Sequence, residues 1–268
     1  MNKRLPKAFS FLQLQDRPKK PRTEGITEIR DDGLSTRQLE DLLEVGADYF
    51  DILKMAGGTQ RLVDREIVKR KIKLCHDNNI LVSTGGLLER VLLQGSEAVK
   101  QFLEEAKDLE YDIVEVSSGI IVMSLSDKVR LMKEVQDYGF KPKPEVAQAY
   151  GITSEEEVPI NVEKLVGEAK NLLENGAWML MIESEGLTEN VKTWKTDVIH
   201  KLASALDLKK VMFEAADEAV FEWYIRNFGP NVNLYIDHSQ VIRLEYLREG
   251  LWGKRLSWGR IVSYRKGE

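Results

Sequence analysis

Residues 111–115 read YDIVE, residues 178–183 read WMLMIE and residues 211–214 read VMFE, so three apolar runs of this chain end on a glutamate. A fourth strand-like stretch, KPKPE at residues 141–145, ends in the same way. The gaps between these glutamates are 30, 38 and 31 residues, which is close to the length of one β-strand plus one helix. The pattern predicts a ring of strands with a carboxylate at several strand ends, where the active site of a (β/α)8 barrel lies.

Strand-like and helix-like segments alternate along most of the chain. Eight candidate strands cover residues 26–30, 49–54, 80–83, 113–117, 141–146, 179–183, 211–214 and 233–236. Helical patterns, with apolar residues three and four apart, cover residues 36–45, 68–78, 96–109, 125–138, 161–174 and 191–206, and a last helix follows Ser239. This alternation predicts an α/β fold with a parallel sheet and right-handed crossovers, closed into a TIM barrel. The rival architecture is a doubly wound open sheet, but no G-x-G-x-x-G follows a strand and eight units is many for one open sheet.

Length and charge limit the domain organisation and the partners. The chain has 268 residues, and we predict a polar N-terminal arm at residues 1–24, one barrel domain at residues 25–268, and an extended loop at residues 151–158. The net charge of -5 argues against a nucleic-acid partner or an anionic membrane. No apolar run approaches the roughly 20 residues of a membrane span. The basic N-terminus lacks a signal-peptide core, and the single Cys75 allows no internal disulfide, so we expect a cytoplasmic protein.

Glu115, Glu145, Glu183 and Glu214 form the main candidate site. As a converging set they would serve as metal ligands or acid/base groups, and such a carboxylate cluster suits Mg²⁺ with an oxygen-rich substrate. The alternative is that some of them pair with lysines or arginines of neighbouring strands. Asp31, after the first strand, is a further metal-ligand candidate, although an aspartate before Gly33 is also typical of a turn.

Several other residues are candidates for substrate binding or catalysis. Lys54, at the end of the second strand, would neutralise an anionic substrate or act as a base, or it would simply bridge carboxylates. Cys75 lies in a helical pattern and is interpreted as a packed thiol. The remaining candidates are the loop residues Gly58, Thr59, Gly85 and Gly86, the arm residues Lys20 and Arg22, and Asn233 and His238 around the last strand.

Taken together, these residues resemble a known family over nearly the whole chain. The matching pieces are Lys20-Pro21-Arg22, Asp31 with Gly33, the DY-D--K pattern that ends at Lys54, Gly58-Thr59, Gly85-Gly86 with Glu89, E-S-G at residues 115–119, Glu145-Val146, Glu183, FEA at residues 213–215, FG and VNL at residues 228–234, and LE-LR-GL at residues 244–251. The chain resembles the phosphosulfolactate synthase family. The stretches ITEIR, STGG, KPKP, MFEA and GPNVNLYIDHSQV resemble a branch of it that is associated with heat acclimation in plants.

The resemblance implies a TIM barrel, a homo-oligomer and a Mg²⁺-dependent lyase that adds sulfite to phosphoenolpyruvate, a step of sulfonate biosynthesis in the coenzyme M pathway. It implies catalytic roles for Lys54, Glu145 and Glu183. Ala147-Gln148-Ala149 and Ser184-Glu185-Gly186 stand where the family has cationic residues. Two hypotheses therefore stay open: a synthase-like lyase, or a relative with a changed substrate, and a non-catalytic barrel that acts in heat-stress tolerance through protein partners.

Overall fold

The computed structural model of this chain describes residues 7–146 and 160–263. Eight parallel strands close into a barrel, in which each strand pairs with the next one in sequence and β8 pairs with β1. Helices connect successive strands and cover the outside of the barrel. The predicted TIM barrel is confirmed, and the open doubly wound sheet was the wrong alternative.

The strands are short and their inner and outer residues are both buried, as is usual for a parallel sheet covered by helices. The eight strands are β1 Thr27–Asp31, β2 Ile52–Met55, β3 Leu81–Ser83, β4 Ile113–Val116, β5 Lys141–Val146, β6 Leu180–Ile182, β7 Val211–Glu214 and β8 Asn233–Asp237. All eight predicted strands are present, and their ends differ from the prediction by no more than three residues.

Nine α-helices lie in the part of the chain that the structure describes. They are α1 Thr36–Gly46, α2 Arg65–His76, α3 Leu87–Leu92, α4 Ser96–Asp108, α5 Leu125–Asp137, α6 Val162–Glu174, α7 Thr196–Ala205, α8 Glu218–Phe228 and α9 Val241–Arg248. Short 3-10 segments cover Ala56–Leu62, Leu208–Lys210 and His238–Gln240. Helices α3 and α8 were not predicted from the sequence, and α7 begins five residues later than predicted.

The apolar side chains divide between two regions. The larger cluster lies between the outer face of the barrel and the inner faces of the helices. A smaller one lies within the barrel and consists of Ile26, Ile52, Ile113, Met179, Met181, Met212 and Tyr235. Above the small cluster the inward positions become charged, because Glu28, Lys54, Glu115 and Lys143 are all buried there. Ionisable groups therefore line the way from the barrel interior to the carboxyl ends of the strands.

Residues 7–24 contain no helix or strand and run across the amino end of the barrel. The Arg22 guanidinium donates hydrogen bonds to Asp51 Oδ1 at 2.9 Å and to the Asp48 carbonyl at 2.8 Å, directly before β2. Arg17 donates to Glu245 Oε1 at 2.9 Å, on α9. The arm thus covers the end of the barrel opposite to the strand-end glutamates.

Two sequence predictions concern residues that lie outside the described parts. These are the extended loop at residues 151–158 and the altered family positions at residues 147–149. Among the helices of residues 7–146 and 160–263, none has the length and apolarity that a bilayer span requires.

Candidate functional site

The carboxyl ends of the strands surround a cavity of about 540 Å³. Its charged lining consists of Glu89, Glu115, Glu145, Glu183 and Glu214 together with Arg30, Lys54, Arg61 and Arg90. The four strand-end glutamates of the sequence analysis thus line one shared space. This arrangement follows from the barrel itself, since the carboxyl ends of all eight parallel strands meet at the same end.

Three of these glutamates lie at the ends of consecutive strands: Glu145, Glu183 and Glu214. Glu145 lies within hydrogen-bonding reach of Glu183, and Glu183 lies within hydrogen-bonding reach of Glu214. Burial, and then the negative charge of Glu115, raise the pKa of Glu145 to about 7. Burial raises the pKa of Glu183 well above 4.5, and the charges of Glu214 and Glu145 raise it further. Carboxylates so close together repel one another unless a shared proton or a cation relieves the repulsion. They have the chemistry of an acid/base group or of a ligand for a hard cation.

Glu214 is held from one side by the residue that follows Glu183. The backbone N–H and the hydroxyl of Ser184 both donate hydrogen bonds to Glu214 Oε2, at 3.2 and 2.9 Å. The neighbouring Glu185 accepts a hydrogen bond from Asn190 Nδ2 at 2.7 Å and does not line the cavity. The change from the family's cationic segment therefore adds no glutamate to the cavity.

Lys54 and Glu115 belong to a chain of alternating charges that continues into the barrel. Lys54 Nζ lies 2.9 Å from Glu115 Oε1, and Lys143 Nζ lies 3.2 Å from Glu115 Oε2 and contacts Glu28. The Lys54 ammonium also lies 4.4 Å from the centre of the Tyr235 ring. All four charged residues of this row are buried. A buried carboxylate needs a cationic neighbour, and the two lysines provide one for each glutamate.

The charges around Lys54 exclude one of the roles considered for it, that of a general base. Burial alone would lower the pKa of Lys54, but nearby negative charge, that of Glu115 above all, outweighs it and raises the pKa well above 10.5. Lys54 is therefore a permanent cation in the cavity wall that pairs with Glu115, and its position in the wall leaves it able to offset the charge of an anionic substrate. A role as general base requires a lowered pKa and is wrong for this environment.

Two predicted metal ligands need correction. Both oxygens of Glu115 face lysine ammonium groups, and the two lysines, against the effect of burial, lower its pKa. Asp31 does not line the cavity, because its Oδ1 accepts hydrogen bonds from the N–H groups of Gly33 and Leu34 at 2.8 and 2.7 Å, and its Oδ2 pairs with Lys71. The turn interpretation of Asp31 is the right one.

Three predicted substrate-binding residues lie at the wrong end of the barrel. Lys20 donates to the Ala47 carbonyl at 2.7 Å, and Arg22 binds the segment before β2. Asn233 begins β8, where its Oδ1 accepts from the Ile26 N–H at 2.9 Å. The prediction failed because sequence position within the arm, or at the start of a strand, does not reveal which end of the barrel is contacted.

The other five predicted binding residues differ in position. Gly58 and Gly86 line the cavity. Thr59 does not, because its hydroxyl donates to the Ala56 carbonyl at 2.9 Å and stabilises the turn. Gly85 has a backbone role, since its φ is +57° and a Cβ there would lie 2.4 Å from the Met55 carbonyl oxygen. His238 follows β8 but does not line the cavity.

Cys75 is fully buried on α2, and burial raises the pKa of its thiol to about 12. The interpretation as a packed thiol is confirmed, because a thiol with so high a pKa is a poor nucleophile.

Four charged residues that line the cavity had no role predicted from the sequence. Arg30, Arg61 and Arg90 provide positive charge at its rim. Glu89 lies on α3, where its carboxylate accepts hydrogen bonds from the N–H groups of three consecutive residues of the loop after β4, residues 119–121. A signal was present for Arg30, because it lies two residues after the inward-facing Glu28 and so on the same face of β1, and for Arg61, which lies three residues after Gly58.

The predicted Mg²⁺ ligands can be compared with the carboxylates that line the cavity. In the described residues, no group of three or more aspartate, glutamate, histidine or cysteine side chains converges as a metal cage, so the five-residue ligand set was too large. Magnesium commonly takes only one or two carboxylates and completes its shell with water and substrate oxygens. Glu183 and Glu214 fit that smaller requirement, because their closeness is unfavourable without a proton or a cation.

Comparison with known proteins agrees with this architecture. Residues 15–254 match the family model of (2R)-phospho-3-sulfolactate synthase (ComA). The chain is 33% identical to the protein HEAT-STRESS-ASSOCIATED 32 of Arabidopsis thaliana, with 91% of this chain and 93% of that protein covered. It is 32% identical to the phosphosulfolactate synthase of Methanocaldococcus jannaschii, with 92% of this chain and 97% of that enzyme covered.

Among solved structures, the YdjI aldolase of Escherichia coli K12 superposes with a TM-score of 0.53 at 11% identity, and the alignment covers 89% of this chain and 85% of that one. This likeness concerns the barrel fold alone. The family match is different in kind, because it covers the strands and loops from which the cavity is built. The chain therefore belongs to the phosphosulfolactate synthase family.

Proposed function

We propose that this protein is a Mg²⁺-dependent lyase of the phosphosulfolactate synthase type, which joins sulfite to phosphoenolpyruvate, or a relative with an altered substrate. The observation that carries the proposal is the cavity lining, in which the permanent cation Lys54 shares one space with the carboxyl groups of Glu145, Glu183 and Glu214. Such a lining suits a substrate that brings negative charge and requires both charge stabilisation and a proton.

The proposed reaction is an addition across the carbon–carbon double bond of phosphoenolpyruvate. The sulfur lone pair of sulfite forms a bond to C3, and the electron pair between C2 and C3 moves into the substrate carboxylate. C2 then takes one proton, which gives phosphosulfolactate with every atom of both reactants retained. Lys54 offsets the negative charge of the two anionic reactants.

Glu145 is the proposed proton donor. Its pKa of about 7 lets it carry a proton at neutral pH and regain it from solvent after transfer. Glu183 and Glu214 are the proposed Mg²⁺ ligands. Magnesium, when bound, supplies positive charge where the substrate carboxylate becomes more negative.

The direct test is a product assay with phosphoenolpyruvate, sulfite and Mg²⁺, with Glu183→Gln as the impaired variant. Glu185→Gln is the matched control, because it removes a carboxylate two residues away that does not line the cavity. We expect product from the natural protein and the control, and a loss of roughly 100-fold in kcat/KM for Glu183→Gln, since even the residues that only orient metal ligands typically contribute about 10- to 100-fold. Absence of product from folded, Mg²⁺-loaded natural protein would remove the synthase version.

A second candidate is a non-catalytic barrel that supports heat-stress tolerance through protein partners. The similarity to a protein named for heat stress favours it. A thermal-shift screen separates the two candidates. Stabilisation by Mg²⁺ and small anionic acids, lost in Glu145→Gln and Glu183→Gln, supports the enzyme, whereas a protein partner that binds regardless of these substitutions supports the alternative.

The expected context of the enzyme is a homo-oligomer in the cytoplasm that acts on small anionic molecules. Size-exclusion chromatography with light scattering would measure the oligomeric state of the full chain.

A further inference from the structure

The carboxylates of the proposed chemistry and two arginines lie on different sides of the cavity. The acidic residues that carry the proposed chemistry come from β5, β6 and β7, whereas Arg61 and Arg90 come from the segments that follow β2 and β3. A cavity with one acidic and one basic wall suits a ligand with two different ends. Arg61 and Arg90 take no part in the chemistry proposed for the acidic wall.

The basic wall is built on backbone that leaves open space in front of it. Arg61 belongs to the 3-10 segment Ala56–Leu62, in which Gly57 and Gly58 have φ values of +59° and +69° and both line the cavity. A Cβ on Gly57 would meet nothing within 4 Å, and one on Gly58 would lie 3.2 Å from Leu87 Cδ1, at the start of α3. Glycines therefore keep side chains out of the space next to Arg61, and a polar group of a ligand can approach the backbone there.

Among the described residues, Arg61 and Arg90 also lack a counter-charge, unlike Arg30, the third arginine that lines the cavity. In the parts of the chain that the structure describes, neither forms an ion pair, whereas Arg30 pairs with Asp32 at 2.7 Å. The carboxylate nearest to Arg90 in sequence, Glu89, is occupied by backbone N–H groups. Two guanidinium groups are thus available to an anion at one side of the cavity.

We infer that Arg61 and Arg90, with the Gly57-Gly58 backbone, form a subsite for the phosphate group of a two-ended ligand. A phosphate offers oxygens in the planar spacing that a guanidinium recognises with two parallel hydrogen bonds. The other end of the ligand, a carboxylate in the proposed reaction, then lies towards Lys54 and the acidic wall, where Glu183 and Glu214 would hold Mg²⁺. The inference rests on the proposed function for this second end only, since the basic wall requires no more than a phosphate monoester.

The test is calorimetric titration of the full-length protein with three probes: inorganic phosphate, phosphoenolpyruvate and malonate, each with Mg²⁺ present. The variants are Arg61→Gln and Arg90→Gln. Arg226→Gln is the matched control, because Arg226 is an exposed arginine on α8 that does not line the cavity. We expect each cavity variant to weaken phosphoenolpyruvate binding by roughly tenfold or more, as for loss of a charged hydrogen bond. Malonate binding should change by less than about twofold, within the scatter expected for a surface charge.

Arg61→Lys and Arg90→Lys keep the charge without the forked geometry, so we expect them to recover only part of the affinity for phosphoenolpyruvate. Circular dichroism of each variant checks that the fold is retained. Equal affinity of the natural protein and both glutamine variants for phosphoenolpyruvate would overturn the subsite, and so would an equal loss of malonate binding. If phosphoenolpyruvate binds through these arginines but no product forms with sulfite, the subsite stands and the proposed reaction falls.

Discussion

At the scale of single residues, Glu145 links folding stability to pH. Its pKa is 4.5 in an unfolded chain and about 7 in the folded protein, so the folded protein binds the extra proton between these values. Stability from this group is complete below pH 4.5 and is lost as pH rises through about 7. In Mg²⁺-free buffer, we expect the natural protein to lose about 1–3 kcal/mol of unfolding free energy between pH 5 and pH 8 through this carboxyl, and Glu145→Gln to remove most of that loss.

Urea unfolding of the chelated protein at the two pH values measures this effect. Glu185→Gln is the control, because its carboxylate does not line the cavity and its removal should leave the pH dependence unchanged. If the unfolding free energy of Glu145→Gln changed with pH as much as that of the natural protein, burial of this carboxyl would have no effect on stability.

A second prediction at the residue scale concerns the buried pair of Lys143 and Glu28. Lys143 is fully buried, and its ammonium serves both Glu28 and Glu115. Lys143→Met leaves two buried carboxylates with one cation fewer, and we expect a loss of about 3–5 kcal/mol in unfolding free energy. The double variant Lys143→Met with Glu28→Leu should recover at least half of it, because an apolar pair needs no solvation. A double variant no more stable than the single one would contradict this electrostatic account.

The candidate site could be predicted from the sequence only in part, and the reason lies at the same scale. A glutamate at the end of an apolar run must lie near the barrel mouth, and Glu145, Glu183 and Glu214 do so. Whether a carboxylate at the barrel mouth forms an ion pair depends on side chains from other strands. Glu115 is paired because Lys143 lies opposite to it in the register of β4 and β5, a contact that no local pattern reveals.

At the scale of elements, the turn after β3 depends on a close backbone approach. Gly57 and Gly85 have nearly the same φ, +59° and +57°, but only at Gly85 would a Cβ meet the Met55 carbonyl, at 2.4 Å. Gly85→Ala should therefore lower the unfolding free energy by about 1–3 kcal/mol more than Gly57→Ala, because at Gly57 only the positive φ is unfavourable for alanine. Thermal and urea unfolding of the two variants compare them directly. Equal losses would show that the loop shifts to accommodate the methyl group.

Element types were predictable where the periodicity was long, and less so where it was short. Helix α1 has a clear apolar stripe, and its start was predicted at the correct residue, where the structure shows a Ser35–Gln38 capping box. Helix α3 has only six residues, too few for a repeating pattern, and it was missed. That omission also hid Glu89 and Arg90, because their positions in the cavity follow from α3.

At the scale of the whole molecule, the two ends of the barrel have separate tasks. The cavity occupies the carboxyl end of the strands, and the arm is fixed to the amino end through Arg22, which donates to Asp51 Oδ1 and to the carbonyls of Asp48 and Pro18. Because the contacts join residues far apart in sequence, the sequence alone indicated an arm but could not indicate which end of the barrel it covers.

This separation predicts that the arm affects stability and not substrate affinity. Arg22→Met removes hydrogen bonds to three partners and leaves Asp51 without its cation, so we expect a loss of about 2–4 kcal/mol in unfolding free energy. Lys19→Met is the control, since Lys19 is an exposed neighbour in the same arm. In both variants the affinity for phosphoenolpyruvate, measured by calorimetry well below the unfolding temperature, should stay within about twofold of the natural value, because no arm residue lines the cavity within the described residues. A tenfold weaker affinity in folded Arg22→Met, with no change in Lys19→Met, would mean that the two ends of the barrel are coupled and that substrate binding depends on the arm after all.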